Sequence, residues 1–221
     1  MTSKETIRTT SQPTGILVWD PLVRFGHWAL VAAFAVAYFS AAEGASGPGV
    51  WHVWSGYLVG SIVVLRVVWG FVGPRHARFS DFVYGPLKTL VYLRDLLLLG
   101  GTRRYLGHSP AGGAMVIALL ICLAATVATG VVAYGESGKG PLAAALATDT
   151  INASGNEAHR VRPEARGERS ESIISEVHDL LADITLVLVV MHVLGVALAS
   201  FVHRENLVVA MISGRKRRAR D

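Results

Sequence analysis

The sequence predicts an all-α integral membrane protein, a four-helix bundle with both termini on the cytoplasmic side. Three observations carry this. Of 221 residues, 52% are hydrophobic and only 17% charged, with a mean hydropathy of +0.43, which is too apolar for an ordinary soluble domain. Four stretches stay apolar for about 20 residues, the length a helix needs to cross a hydrocarbon core of ~30 Å. Lys and Arg gather in the connections that such a topology places on one side. The single cysteine, Cys122, excludes an intramolecular disulfide, a CxxC zinc site, a CxxCH haem attachment and iron–sulfur ligation within the chain. Inside an apolar run it reads as a core residue.

The elements follow in order. Residues 1–15 are polar, with Lys4 and Arg8 among many Ser and Thr, and read as a disordered cytoplasmic tail. The first span is placed at Pro21–Ala42, with Asp20 as its N-cap and Pro21 in its first turn. Its small-residue end, SAAEGAS, looks like a cleavage site, but the long polar lead and the presence of Arg24 and His27 indicate an uncleaved anchor. A short turn at 44–50 follows. The second span covers Trp51–Val72, with Trp51, Trp54 and Trp69 suited to interfacial belts. The stretch LKTLVYLRDLLLLG carries Lys88, Arg94 and Asp95 and is too short to span, so it is expected to lie on the membrane surface as an amphipathic helix. The third span, Gly112–Tyr134, has neither histidine nor charge. Residues 135–175 read as a polar periplasmic loop, 178–202 as the fourth span, and 211–221 as a basic cytoplasmic tail.

Orientation comes from the basic residues. The connection 74–111 holds six (Arg75, Arg78, Lys88, Arg94, Arg103 and Arg104), the chain from His203 onward holds six more, and the 44–50 turn holds none. Long loops carry little weight in this rule, so the five in 135–175 do not oppose it. The net charge of +5 is thereby explained as positive-inside anchoring to membrane lipids, and no nucleic-acid partner is needed.

This topology fixes the depth of each histidine. His27 falls near the inner leaflet, His52 near the outer one, His178 outer and His192 inner. His178 and His192 are fourteen residues apart, which returns them to nearly the same helix face, about 21 Å apart along the axis. The histidines therefore pair as His52 with His178 and His27 with His192. Ionisable groups at membrane depth are costly and generally have partners. Two cross-helix imidazole pairs in a four-helix bundle suit two bis-histidine haems, whose six-coordinate irons carry electrons and leave no open ligand position. Zinc prefers three or four ligands at one point. Gly56, one turn beyond His52, and Gly195, three residues after His192, leave flat space for a porphyrin, although Gly56 with Gly60 also reads as a helix-packing face. Arg66, fourteen residues after His52, lies at the inner depth, where a haem propionate is a natural counter-charge. Arg24 could serve the same group or snorkel to the headgroups. His76, His108, His159 and His203 fall in connections and are read as non-ligands.

The stretches VWDPLVRFGHW, HVWSGYLVGSIVVLRVVWGFVGPRHARFSDFV and RYLGHSPAGGAM, with the VH…MH helix, resemble the bacterial cytochrome b561 family, including the b-type cytochrome subunits of nickel–iron hydrogenases. The likeness spans residues 16–210 apart from the 135–175 loop. It implies a multi-pass protein of the bacterial cytoplasmic (inner) membrane with two haem b groups, held by His27, His52, His178 and His192. It also implies electron exchange with quinone or quinol and with a redox partner protein, such as a small cytochrome c or a hydrogenase-type subunit. If quinone is the partner, Arg75, His76 and Arg78 inside, or Trp51 and Trp54 outside, would line its site, although the Arg/His cluster reads first as a positive-inside loop. The nearest alternative is a dedicated membrane anchor of a hydrogenase or similar complex, which differs by partner and not by chemistry. A proton-coupled transporter would require a polar path and broken helices at mid-membrane, which the uncharged third span does not offer. A purely structural scaffold leaves the histidine pairing unexplained.

Overall fold

The computed structural model describes residues 15–41, 49–98, 105, 107–145 and 163–217. Of the expected disordered tail at 1–15, residues 1–14 lie outside the described residues, as do 44–48, Arg103 and Arg104, His159 and 218–221, whereas Gly15 is part of a strand. In chain order the elements are strand β1 (Gly15–Leu17), α1 (Pro21–Phe39), α2 (Val50–Val72), a 3-10 turn (Arg75–Ala77), α3 (Phe79–Phe82), α4 (Pro86–Leu97), α5 (Pro110–Glu136), α6 (Pro163–Val202), α7 (Leu207–Ser213) and β2 (Arg215–Arg217). Four helices, α1, α2, α5 and the 173–202 part of α6, are long and apolar enough to cross a membrane. The fold is the expected all-α membrane bundle.

Local chemistry sets the helix ends. Asp20 caps α1, its carboxylate accepting from the Val23 N–H at 3.0 Å, with Pro21 in the first turn, where a missing N–H costs nothing. Ser109 and Pro110 repeat the device on α5, the Ser109 hydroxyl accepting from the Gly112 N–H at 3.2 Å. That cap starts the third span two residues before the expected Gly112. The larger difference is in α6, which begins at Pro163, inside the stretch read as a loop. Residues 163–175 include three Glu and two Arg, which are good helix formers, behind a first-turn proline. Polarity there bars burial, not helix. At about 1.5 Å per residue the 40 residues run for ~60 Å, roughly twice the hydrocarbon thickness.

The two ends of the described chain meet. β1 and β2 pair antiparallel, with Ile16 opposite Lys216, and the Val18 N–H donates to the Gly214 carbonyl at 2.9 Å. Gly214 takes a left-handed conformation, φ 77°, which glycine adopts without strain. The basic tail is thus partly ordered, as a strand clipped to the chain's beginning. The starts of α1 and α5 and the ends of α2 and α6 share this side, called here the terminal end. The opposite side is the distal end.

Packing is uneven. Ala33, Val59, Val63, Leu120 and Leu123 form the buried core that joins α1, α2 and α5. α6 lies mainly along α5 and has little helix-to-helix contact with α1 and α2. The outer faces carry large exposed apolar side chains, among them Phe25, Phe39, Phe71 and Phe201, as lipid-facing surfaces do.

Candidate functional site

Across the face that α6 turns toward α1 and α2, the histidines meet. The His27 and His192 rings lie 6.4 Å apart between centroids, with planes at 53°. The His52 and His178 rings lie 6.0 Å apart, with planes at 85°. The first pair is nearer the terminal end and the second nearer the distal end. Among the described residues no group of three or more His, Cys, Asp or Glu side chains converges on one point, so the imidazoles come in twos.

The distal pair is held by backbone carbonyls of neighbouring helices. The His52 Nδ1 lies 2.8 Å from the Ala37 carbonyl oxygen, one of the last carbonyls of α1, to which the capping Ser40 hydroxyl also donates at 3.5 Å. The His178 Nδ1 lies 2.9 Å from the Thr126 carbonyl oxygen on α5, with the Thr129 hydroxyl at 3.3 Å. A carbonyl only accepts, so each Nδ1 carries the proton and each Nε2 keeps its lone pair. In the terminal pair, the His27 Nδ1 is buried without a hydrogen-bond partner among the described residues, and so, on α2, is one guanidinium nitrogen of Arg66. The Arg66 Cζ sits 5.2 Å from the Phe79 ring centre and 5.8 Å from that of Phe82. Phe82 is 1% exposed, so this cation faces a dry aromatic wall that cannot satisfy its N–H groups.

The glycines separate by role. A side chain at Gly60 would press on Val127 at 2.9 Å, so Gly60 is a packing residue between α2 and α5. A Cβ on Gly56 or Gly195 would meet nothing within 4 Å, so the helix-packing reading applies to Gly60 and not to Gly56. Arg24 reaches the end of α7. Its Nε donates to the Met211 carbonyl at 3.3 Å and an Nη donates to the Ile212 carbonyl, capping the end of α7. In the stretch proposed to line a quinone site, Arg75 pairs with Asp81 at 3.5 Å and Arg78 donates to the Gly73 carbonyl at 2.6 Å. The His76 side chain lies outside the described residues. Trp51 and Trp54 are largely exposed on α2. His108 packs against Trp19 and Phe82, ring centres 4.6 and 4.4 Å away, and His203 meets the Tyr92 hydroxyl at 3.3 Å.

The model of one family, prokaryotic cytochrome b561, matches residues 18–214. The chain belongs to the prokaryotic cytochrome b561 family. No curated protein and no solved structure matched it. Cytochromes b561 are membrane electron-transfer proteins that bind b-type haem, and their partners are, in general terms, quinones and redox proteins. This cytochrome b561 is a multi-pass membrane protein by both its family and its four spans. Several residues around the pairs escaped sequence reasoning: Ala37, Thr126 and Thr129, which hold the distal imidazoles, and Gly130, whose Cβ would come within 2.7 Å of the His178 ring. The TVATG run of α5 is a faint signal at best, because small and hydroxyl residues are common in spans.

Proposed function

We propose that this chain carries electrons through the bacterial inner membrane on two non-covalent b haems, one between His27 and His192 and the other between His52 and His178. One observation carries the reading: two facing imidazole pairs of nearly equal separation, at two depths. A metal-bound imidazole nitrogen lies about 2 Å from its ion and roughly 1 Å from its own ring centre, so two imidazoles on opposite faces of one iron have centres about 6 Å apart. The measured 6.0 and 6.4 Å fit. When bound, a bis-histidine haem takes up and releases one electron and offers no open ligand position.

The chain's own residues suit that cofactor. The Nδ1 hydrogen bonds at the distal pair fix the tautomer that leaves Nε2 for a metal. A Cβ on Gly56 or Gly195 would meet nothing within 4 Å, which is compatible with a flat ring lying against either glycine. The unpartnered nitrogen of Arg66 offers a charged hydrogen bond to a carboxylate at the terminal site. Arg24, engaged at the end of α7, is left out of this role. In this reading the terminal end is cytoplasmic, since the basic connection after α2 and the basic strand β2 both lie there. Quinol or a redox protein would supply or take the electrons at a haem edge. The membrane-anchor alternative draws on α6, whose polar first turns are long enough to reach beyond the bilayer toward a protein partner.

The test is the haem content of the purified protein. A pyridine haemochromogen assay with a dithionite-reduced minus oxidised spectrum is expected to give two low-spin b haems per chain. One haem would remove one of the pairs, and none would overturn the reading.

A further inference from the structure

The span that supplies no ligand, α5, has an unusual relation to His178. A carbonyl in mid-helix already accepts the N–H four residues on. It keeps a second lone pair, but the side chain at that fourth position normally shields it from the side. Four residues after Thr126 stands Gly130. A Cβ there would lie 2.7 Å from His178 Cε1, closer than side chains approach, and 3.1 Å from Nδ1. The missing side chain is what lets the imidazole reach the Thr126 carbonyl at 2.9 Å.

The seat is then fixed in register by hydroxyls. Thr185 lies seven residues after His178 and seven before His192, on the same face of α6 between them. It is fully buried, at 0% exposure. Its hydroxyl donates to the Leu181 carbonyl at 2.8 Å and lies 3.1 Å from Cys122 Sγ and 3.3 Å from Thr126 Oγ1. Thr126 Oγ1 in turn donates to the Cys122 carbonyl at 2.9 Å. Buried hydroxyl contacts of this kind set helix register in membranes, where apolar burial alone does not. A slip of α6 by one turn, about 5.4 Å, would carry His178 off its carbonyl.

From this we infer that Gly130, Thr126 and Thr185 are positioning residues for the distal site: they seat the His178 imidazole on α5, fix its tautomer and turn Nε2 toward His52. The inference rests on the reading of His178 as a haem ligand. Its chemical consequence follows from the hydrogen bond. An imidazole that donates through Nδ1 is a more basic ligand through Nε2, so the seat favours the oxidised iron at the distal site and lowers its potential.

The experiment uses the full-length protein with its haems, read by haem stoichiometry, midpoint potentials and low-temperature EPR. Gly130→Ala is expected to lose the distal haem and keep the terminal one, so that the content falls from two to one. Gly60→Ala, which disturbs packing between α2 and α5 away from the imidazole, is expected to keep both. Thr185→Val preserves shape and keeps the inference testable if Gly130→Ala does not fold. It is expected to retain both haems while the distal potential rises and the distal EPR signal alone changes. A purely structural role predicts lower stability of the protein with both potentials unmoved, and that result overturns the inference. Persistence of the distal haem in His178→Ala instead overturns the ligand reading itself. Loss of that haem in His178→Ala, with Gly130→Ala and Thr185→Val unaltered at the distal site, defeats the positioning role alone.

Discussion

The distal and terminal histidine pairs share a ring separation and differ in everything around it. At the distal pair both imidazoles are tied through Nδ1 to carbonyls of other helices, α1 for His52 and α5 for His178. At the terminal pair the His27 Nδ1 is buried without such a tie among the described residues, and further along α2 the Arg66 cation stands against an aromatic wall. Backbone carbonyls make a ligand more basic and favour the oxidised iron. A neighbouring positive charge favours the reduced one. In the proposed two-haem reading both differences push the same way, toward a lower potential at the distal site, and two pairs of the same ligand type are made unequal by what stands behind them.

The comparison can be broken most severely through the ligands. His52→Ala is expected to remove the distal haem and leave the terminal one, and His27→Ala the reverse, each measured as one haem per chain. If either variant loses both haems, the sites are not independent and the comparison fails. A smaller effect is expected at the glycines. Gly56→Leu should lower distal occupancy by filling the open space beside His52, while leaving terminal occupancy near one. Full occupancy of both sites in that variant would mean that the space serves no ring.

Arg66→Leu sharpens the comparison from the other side. It should lower the terminal midpoint potential by some tens of millivolts, a tenfold change in equilibrium being about 59 mV for one electron, with the distal potential unchanged. The direction follows from removing the cation that opposes a propionate's negative field. A rise, or an equal shift at both sites, would show that Arg66 does not face the terminal haem.

The four spans were legible because each is a long apolar run, and the histidine pairing was legible because fourteen residues on a helix is almost a whole number of turns. Both are one-dimensional signals. The start of α6 was missed because a charged helix outside the bilayer carries no apolar signature, and the β1–β2 clip because it joins residues about 200 positions apart. The Arg24 contacts were hidden for a related reason: they run to the carbonyl end of α7, a short helix that the basic tail concealed. The hydrogen bond between Tyr38 and Asp183, 3.2 Å and bridging α1 to α6, likewise needs two helices in place before it can be seen. The supports of the distal ligands belong to the same class. Backbone carbonyls are present at every residue, so no composition or spacing marks out Ala37 or Thr126. The mark is a neighbour's absence of bulk, at Gly130, and its meaning appears only when His178 stands opposite.

The most direct measurement is a potentiometric titration of His27→Ala beside His52→Ala, each in the same membrane-mimetic medium as the unaltered protein. The unaltered protein should titrate in two one-electron steps. His27→Ala, which keeps the distal pair, should retain the lower step, and His52→Ala the higher. The opposite assignment would contradict the claim that the carbonyl-held pair is the more electron-rich site. A single unsplit step in the unaltered protein would contradict the claim that the two sites are unequal.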